Sequence, residues 1–264
     1  MELGLTGRAA LVCGASRGLG RACAEALAAE GVKVALVARR EGAVGEAASA
    51  IARAHGVETL GIVADLAAED ACERAVREAE AGFGQVDILV ANAGGPPAGF
   101  IDELDDAAWR RAFELTFLTT VRLGRAALPA MAGRGWGRMV VIGSGSMATP
   151  IPNLATSSGL RPGLKGVVKL FAERYAKDGV TVNTVAPGYF RTERLIEVAH
   201  GSKEEGTSGP GAMQLFRRLA AEIPVGRLGE PEELGAMVAF LASDRAAYVT
   251  GQTVLLDGGR NHGL

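Results

Sequence analysis

Apolar and polar positions along the 264-residue chain follow two alternating rhythms. Short apolar runs rich in branched residues predict strands at Arg8 to Cys13, Val32 to Ala38, Val57 to Ala64, Val86 to Ala91, Arg138 to Ile142, Val180 to Val185 and Thr253 to Leu256. Helical spacing predicts helices at Arg21 to Glu30, Glu41 to His55, Ala67 to Ala81, Glu103 to Met131, Gly163 to Lys177 and Pro231 to Ala242. Gly82 and Gly84 stop the third of these, and Pro231 with its acidic neighbours opens the last. Apolar runs without alternation fit strands buried on both faces, and strands alternating with helices imply parallel βαβ crossovers. No repeat or low-complexity linker interrupts the pattern, so residues 1–264 are expected to form one domain. The least regular stretch, Ala199 to Gly211, predicts a mobile loop. It is either a solvated connection or a lid on the ligand side of the sheet, within a wider substrate-side segment, 193–215.

Composition narrows the function classes. Hydrophobic residues make up 48% of the chain, which excludes a disordered protein, and the 37 glycines have no three-residue period. A net charge of −2 offers no basic face for nucleic acid and no polybasic membrane patch. No apolar run is long enough to cross a bilayer. His55, His200 and His262 are scattered, so no metal site is expected. Cys13, Cys23 and Cys72 form no CxxC pair, and an odd number of thiols suits a reducing compartment, so the expectation is a cytoplasmic protein.

The first strand runs into GASRGLG, where Gly14, Gly18 and Gly20 allow a tight turn and close approach of backbone N–H groups, including those of Ser16 and Leu19, to a pyrophosphate. The helix that follows offers its free N–H groups and positive dipole end. In the first βαβ unit, this is where a dinucleotide binds. The second strand ends in Arg39 and Arg40, with no carboxylate for ribose hydroxyls. With Arg17 they favour a 2′-phosphate, hence NADP(H). Asp65 either accepts from the adenine amino group or caps the next helix.

Five segments, CGASRGLG at 13–20, ADL at 64–66, ANAG at 91–94, VNTVAPGYFRT at 182–192 and LLDGG at 255–259, together resemble the short-chain dehydrogenase/reductase family over essentially the whole chain. The general likeness is to its β-ketoacyl-carrier-protein reductase-like members. The resemblance implies a doubly wound Rossmann α/β fold, with a seven-stranded parallel sheet and helices on both faces. It implies nicotinamide-dependent reduction of a ketone or oxidation of an alcohol, on a small-molecule substrate. It also implies a homotetramer or dimer built through the long crossover helices. Asp65 and Leu66, then Asn92, Ala93 and Gly94, then Pro187, Gly188 and Thr192 would line the cofactor. Gly95, Pro96, Pro97, Met147, Pro150, Asn153, Tyr189 and the 193–215 segment would line the substrate pocket, with Ser144 and Ser146 as polar handles.

The family's catalytic tetrad is Asn, Ser, Tyr and Lys, the last two as YxxxK. Ser144 matches the serine. Ser157 stands at the tyrosine's place, Arg161 at the lysine's and Thr116 at the asparagine's. Four residues beyond Tyr175, Tyr189 and Tyr248 stand Gly179, Glu193 and Gln252, so the chain holds no YxxxK. A serine hydroxyl is a much poorer proton donor than a tuned phenol, and arginine keeps its proton. Arg161 could stabilise an alkoxide with the proton coming from water, hold the cofactor ribose, or grip a substrate carboxylate or phosphate. Tyr189 could supply a phenol or simply pack beside the cofactor, and Lys165 faces solvent or a partner helix. Two readings follow: an NADP(H)-dependent oxidoreductase with non-standard catalytic residues, or a dinucleotide-binding protein acting as sensor or scaffold.

Overall fold

β1 (Ala9–Cys13) is apolar and buried at all five positions, which places it inside a sheet rather than at an edge. It pairs in parallel with β2 (Lys33–Ala38) on one side and β4 (Ile88–Ala91) on the other. In this computed structural model, which describes residues 2–200 and 206–261, seven parallel strands form one sheet. Their order is β3 (Thr59–Val63), β2, β1, β4, β5 (Gly137–Ile142), β6 (Val180–Pro187) and β7 (Thr253–Leu256). The edge strands carry the partial exposure, at Val63 and Leu255.

Two apolar layers cover the sheet. On one face α1 (Gly18–Ala29), α2 (Glu41–His55) and α10 (Pro231–Ala242) pack Leu27, Ile51 and Val238 against β1, β2 and β4. On the other, α3 (Ala71–Phe83), α5 (Thr119–Gly133) and α7 (Leu164–Tyr175) pack Val76, Leu128 and Val168. Gly235 lets α10 lie against α1, because a Cβ there would come within 2.6 Å of the Ala22 carbonyl oxygen. Chain direction across the sheet reverses between β1 and β4, and a crevice opens there beyond the strand ends.

Two expectations need correction. The stretch 103–131 is not one regular helix. α4 (Asp106–Ala112) starts where the Asp105 carboxylate accepts from the Ala108 N–H at 2.7 Å, and the chain then widens into a π-helical stretch, Phe113–Leu118, before α5. Hydroxyls satisfy the loosened carbonyls: Thr116 donates to Ala112, and Thr119 shares its one proton between Glu114 and the Leu66 carbonyl beyond β3.

The described part of the 193–215 segment is largely helical rather than a loop. It folds as α8 (Glu193–His200), a short turn at Gly206–Ser208 and the start of α9 (Pro210–Ala220). Ala212, Leu215, Phe216 and Leu219 recur at helical spacing on α9 and bury against Ile196 of α8. Residues 201–205, in the middle of the expected mobile loop, lie outside the described residues. No helix among the described residues is long and apolar enough to cross a membrane.

Candidate active site

A cavity of about 870 Å³ lies beyond the carboxyl ends of β1, β4, β5 and β6, at the upper end of the range for small-molecule and cofactor sites. Its floor is the turn from β1 to α1. Gly14 takes φ +60°, and a Cβ there would lie 2.7 Å from the Asn92 carbonyl oxygen. A Cβ on Gly20 would overlap the Gly14 carbonyl oxygen. Asn92 ties the ends of β4 and β1 together, its Nδ2 donating to the Cys13 carbonyl at 3.2 Å. The first turn of α1 has neither an acidic side chain nor a side-chain cap, so its N–H groups are left for a ligand. Gly14, Arg17, Gly18, Leu19, Gly20, Arg39, Asn92, Ala93, Gly94, Pro187, Gly188 and Thr192 all line the cavity.

Other expected binding residues lie elsewhere. Ser16 and Arg40 are not in the cavity wall, and Arg40 only precedes the first turn of α2. The Asp65 carboxylate accepts from Ala67 N–H at 3.2 Å, six residues before α3 begins, so it holds a turn rather than capping the helix. Leu66 is buried in the core, with its carbonyl taken by the Thr119 hydroxyl. Arg17 does not stand open for a phosphate, because its guanidinium pairs with Glu193 and Glu197 of α8. The substrate wall holds Gly95, Pro96, Asn153 and Tyr189, whereas Met147 is packed into the core and Pro97 and Pro150 stand outside the lining.

Of the four residues expected to carry catalysis, three meet in the cavity. Thr116 does not, because its buried hydroxyl donates back to Ala112 within its own helix. Ser144 follows β5, and Ser157 sits on α6 (Ala155–Leu160), a helix that the Gly, Ser and Pro content of this stretch concealed. Pro162 cannot continue α6, so the chain tightens at Arg161–Gly163 before α7 begins, and that break turns Arg161 inward.

Ser146, buried behind the wall, links the two serines. Its hydroxyl donates to Ser144 Oγ at 3.0 Å and lies 3.0 Å from Ser157 Oγ. Ser146 has a single proton and directs it at Ser144, so Ser157 is the donor to Ser146. Ser144 Oγ also accepts from the Ser146 N–H at 3.2 Å. Its own proton is thereby free to point into the cavity.

Arg161 is 7% exposed. One terminal nitrogen donates to the carbonyls of Ile142 at 3.0 Å and Gly143 at 3.1 Å, while Nε is buried without a partner. Burial pulls the guanidinium down to about 10, and the nearby charge of Arg194 pushes the same way, so it stays charged at neutral pH. Tyr189 turns its ring under Arg260, whose guanidinium carbon lies 4.2 Å from the ring centre, and burial raises the phenol above its usual range. It packs against the α8–α9 cluster and lines the cavity. Lys165 is exposed. No group of three or more His, Cys, Asp or Glu is placed to hold a metal ion among the described residues.

Comparison with known proteins identifies the family. Residues 14–261 match the family model described as enoyl-(acyl carrier protein) reductase. A 3-oxoacyl-(acyl-carrier-protein) reductase of Escherichia coli is 36% identical over 255 residues, spanning 96% of this chain and 97% of that protein. A cis-4-hydroxycyclohexanecarboxylate dehydrogenase of Sinomonas cyclohexanicum is 36% identical over 256 residues, 96% of each. Among solved structures, L-sorbose reductase from Gluconobacter frateurii, complexed with NADPH and L-sorbose, superposes with a TM-score of 0.93 at 32% identity, each chain fully covered. With its parallel sheet, glycine turn and crevice at the switch point, the chain belongs to the short-chain dehydrogenase/reductase family.

Proposed function

We propose that this protein is an NADP(H)-dependent oxidoreductase that reduces a ketone or β-ketoacyl-type carbonyl, or oxidises the corresponding alcohol, with a serine–arginine pair where the family has tyrosine and lysine. The observation that carries this reading is the hydroxyl chain from Ser157 through Ser146 to Ser144, opening into the same cavity as the glycine turn and Arg161. The named activities of the relatives share interconversion of a carbonyl and a secondary alcohol.

The residues fit the cofactor. The Gly14–Gly20 turn leaves room where any Cβ would intrude, α1 presents uncapped N–H groups to a pyrophosphate, and Arg39 lines the adenosine end for a 2′-phosphate. Bound NADPH supplies two electrons as a hydride to the carbonyl carbon, and the alcohol oxygen takes one proton. Ser144 donates its free hydrogen bond to the carbonyl oxygen. Arg161 holds a fixed positive charge in the same wall, which favours negative charge developing on that oxygen. Neither group releases a proton near neutral pH, so the proton comes from water. General acid catalysis contributes about 10²–10⁴-fold, whereas positioning can contribute effective molarities of about 10⁵ M or more. A reductase without its phenol is therefore slow but not inert.

The other reading, a cofactor-binding sensor or scaffold, is favoured by one observation: the half-buried Tyr189, its ring under Arg260 and its phenol raised by burial, is the one phenol that lines the cavity among the described residues. Calorimetry with NADPH and NADH, followed by NADPH oxidation on a panel of ketones and β-ketoacyl thioesters, separates the two. Tighter NADPH binding and turnover that falls about 10²-fold in Ser144→Ala support the enzyme. Tight binding with no turnover above that variant supports the sensor. A cytoplasmic homodimer or homotetramer is part of the same proposal. The exposed Leu170 on α7 offers apolar surface for assembly, to be checked by sedimentation.

A further inference from the structure

Resting on that reading, we propose that Arg161 and Arg194 form a carboxylate-binding site at the substrate end of the cavity, so that the substrate is a keto acid or hydroxy acid rather than a neutral ketone. Arg161 sits nine-tenths buried in the wall with Nε unpartnered, and no carboxylate pairs with it among the described residues. A buried cation in this state is costly unless a ligand compensates it.

Arg194 reaches the same cavity from α8 and is held there by the fold. One of its terminal nitrogens donates to the Pro96 carbonyl, and its guanidinium occupies the space a side chain at Gly95 would take, 2.9 Å from where a Cβ would stand. Both positions belong to the turn after β4. Gly95 therefore serves the arginine, with φ outside the left-handed region, and not a backbone need of its own.

The pairing of charges points to an anion. Arg17 pairs with Glu193 and Glu197, and Arg194 with Glu197, whereas Arg161 has no carboxylate partner among the described residues. Asp257, in the opposite wall, is turned onto its own loop, accepting from Asn261 and Gly259. Ribose hydroxyls are neutral and would leave that charge uncompensated. A dinucleotide pyrophosphate belongs at the other end, over the glycine turn. A substrate carboxylate answers that charge, taking charge-assisted hydrogen bonds from the guanidinium groups that line the cavity.

The test uses the NADPH-loaded protein and matched pairs of linear and cyclic keto carboxylates and their methyl esters. The acid is expected to exceed its ester in kcat/KM by at least about tenfold, the scale of one charged hydrogen bond. Arg194→Gln is expected to lower the acid-over-ester ratio of kcat/KM about tenfold, because only the acid loses a charged hydrogen bond. A second readout needs no turnover: calorimetry of the corresponding hydroxy acid, which cannot react with NADPH, should show binding that Arg194→Gln weakens. Equal handling of acid and ester, or equal losses on both in Arg194→Gln, overturns the carboxylate site while leaving the NADP(H) reading intact. Failure to bind NADPH at all overturns the reading beneath it, and this inference with it.

Discussion

At the scale of single residues, position 157 decides how far the site can be tuned. Ser157 lines the cavity and donates to Ser146, so a larger side chain there has open volume ahead of it. Ser157→Tyr with Arg161→Lys supplies a phenol, pKa near 10, beside a cation that favours its ionised form. Ketone reduction by this double variant is expected to rise about 10²-fold or more over the parent in steady-state assays. An unchanged rate would show that 157 is not the tyrosine position. Gly20→Ala is expected to abolish NADPH binding by calorimetry, because its Cβ would overlap the Gly14 carbonyl and crowd Asn92 Nδ2 at 2.6 Å. The glycine turn was legible because its spacing follows directly from that crowding. The partner of Arg17 was not, since Glu193 and Glu197 are 176 and 180 residues away in sequence. Ser146 was visible only as a polar neighbour of Ser144, and its place between two serines depends on α6, which the loop-like composition hid.

At the scale of elements, chain punctuation was read best. α2 and α10 have the predicted bounds, because Gly56 takes φ +68° after one and Pro231 opens the other. α8 and α9 were missed for the opposite reason. The Gly, Ser and Pro residues between them mask the apolar spacing of Leu215, Phe216 and Leu219. α10 also carries a testable cap. The Glu233 carboxylate accepts from the Glu230 N–H at 2.8 Å, and Arg227 grips both its oxygens at 2.7 Å. Chiefly through Arg227, its carboxyl is held down to about 2. Because the folded value lies below the unfolded one, this contribution is complete above about pH 4.3 and disappears as pH falls toward 2. Glu233→Gln is expected to lower Tm at pH 7 by about 2–3 °C. The gap between variant and parent should close between pH 4 and 2, measured by calorimetric melts across that range.

At the scale of the whole molecule, one contact joins the two ends of the reaction chamber. Arg17 belongs to the turn that would hold phosphate, and its carboxylate partners belong to α8, which carries Arg194 to the substrate end. Anything that draws Arg17 toward a phosphate must loosen it from Glu193 and Glu197, so cofactor affinity and the position of α8 are linked. Glu193 is about half exposed, and a pair of that exposure contributes roughly 0.2–1 kcal/mol, screened by salt. Glu193→Gln removes that competition and keeps the side chain's size. NADPH affinity is therefore expected to tighten about 1.5- to 5-fold at low ionic strength, with the difference from the parent narrowing as salt is raised. The same change should make α8 exchange its amide hydrogens faster in the unliganded protein, since the helix loses a tether to the glycine turn. Weaker NADPH binding in Glu193→Gln would mean that the carboxylate positions Arg17 for the phosphate instead of withholding it, and the coupling between α8 and the cofactor would then carry the opposite sign.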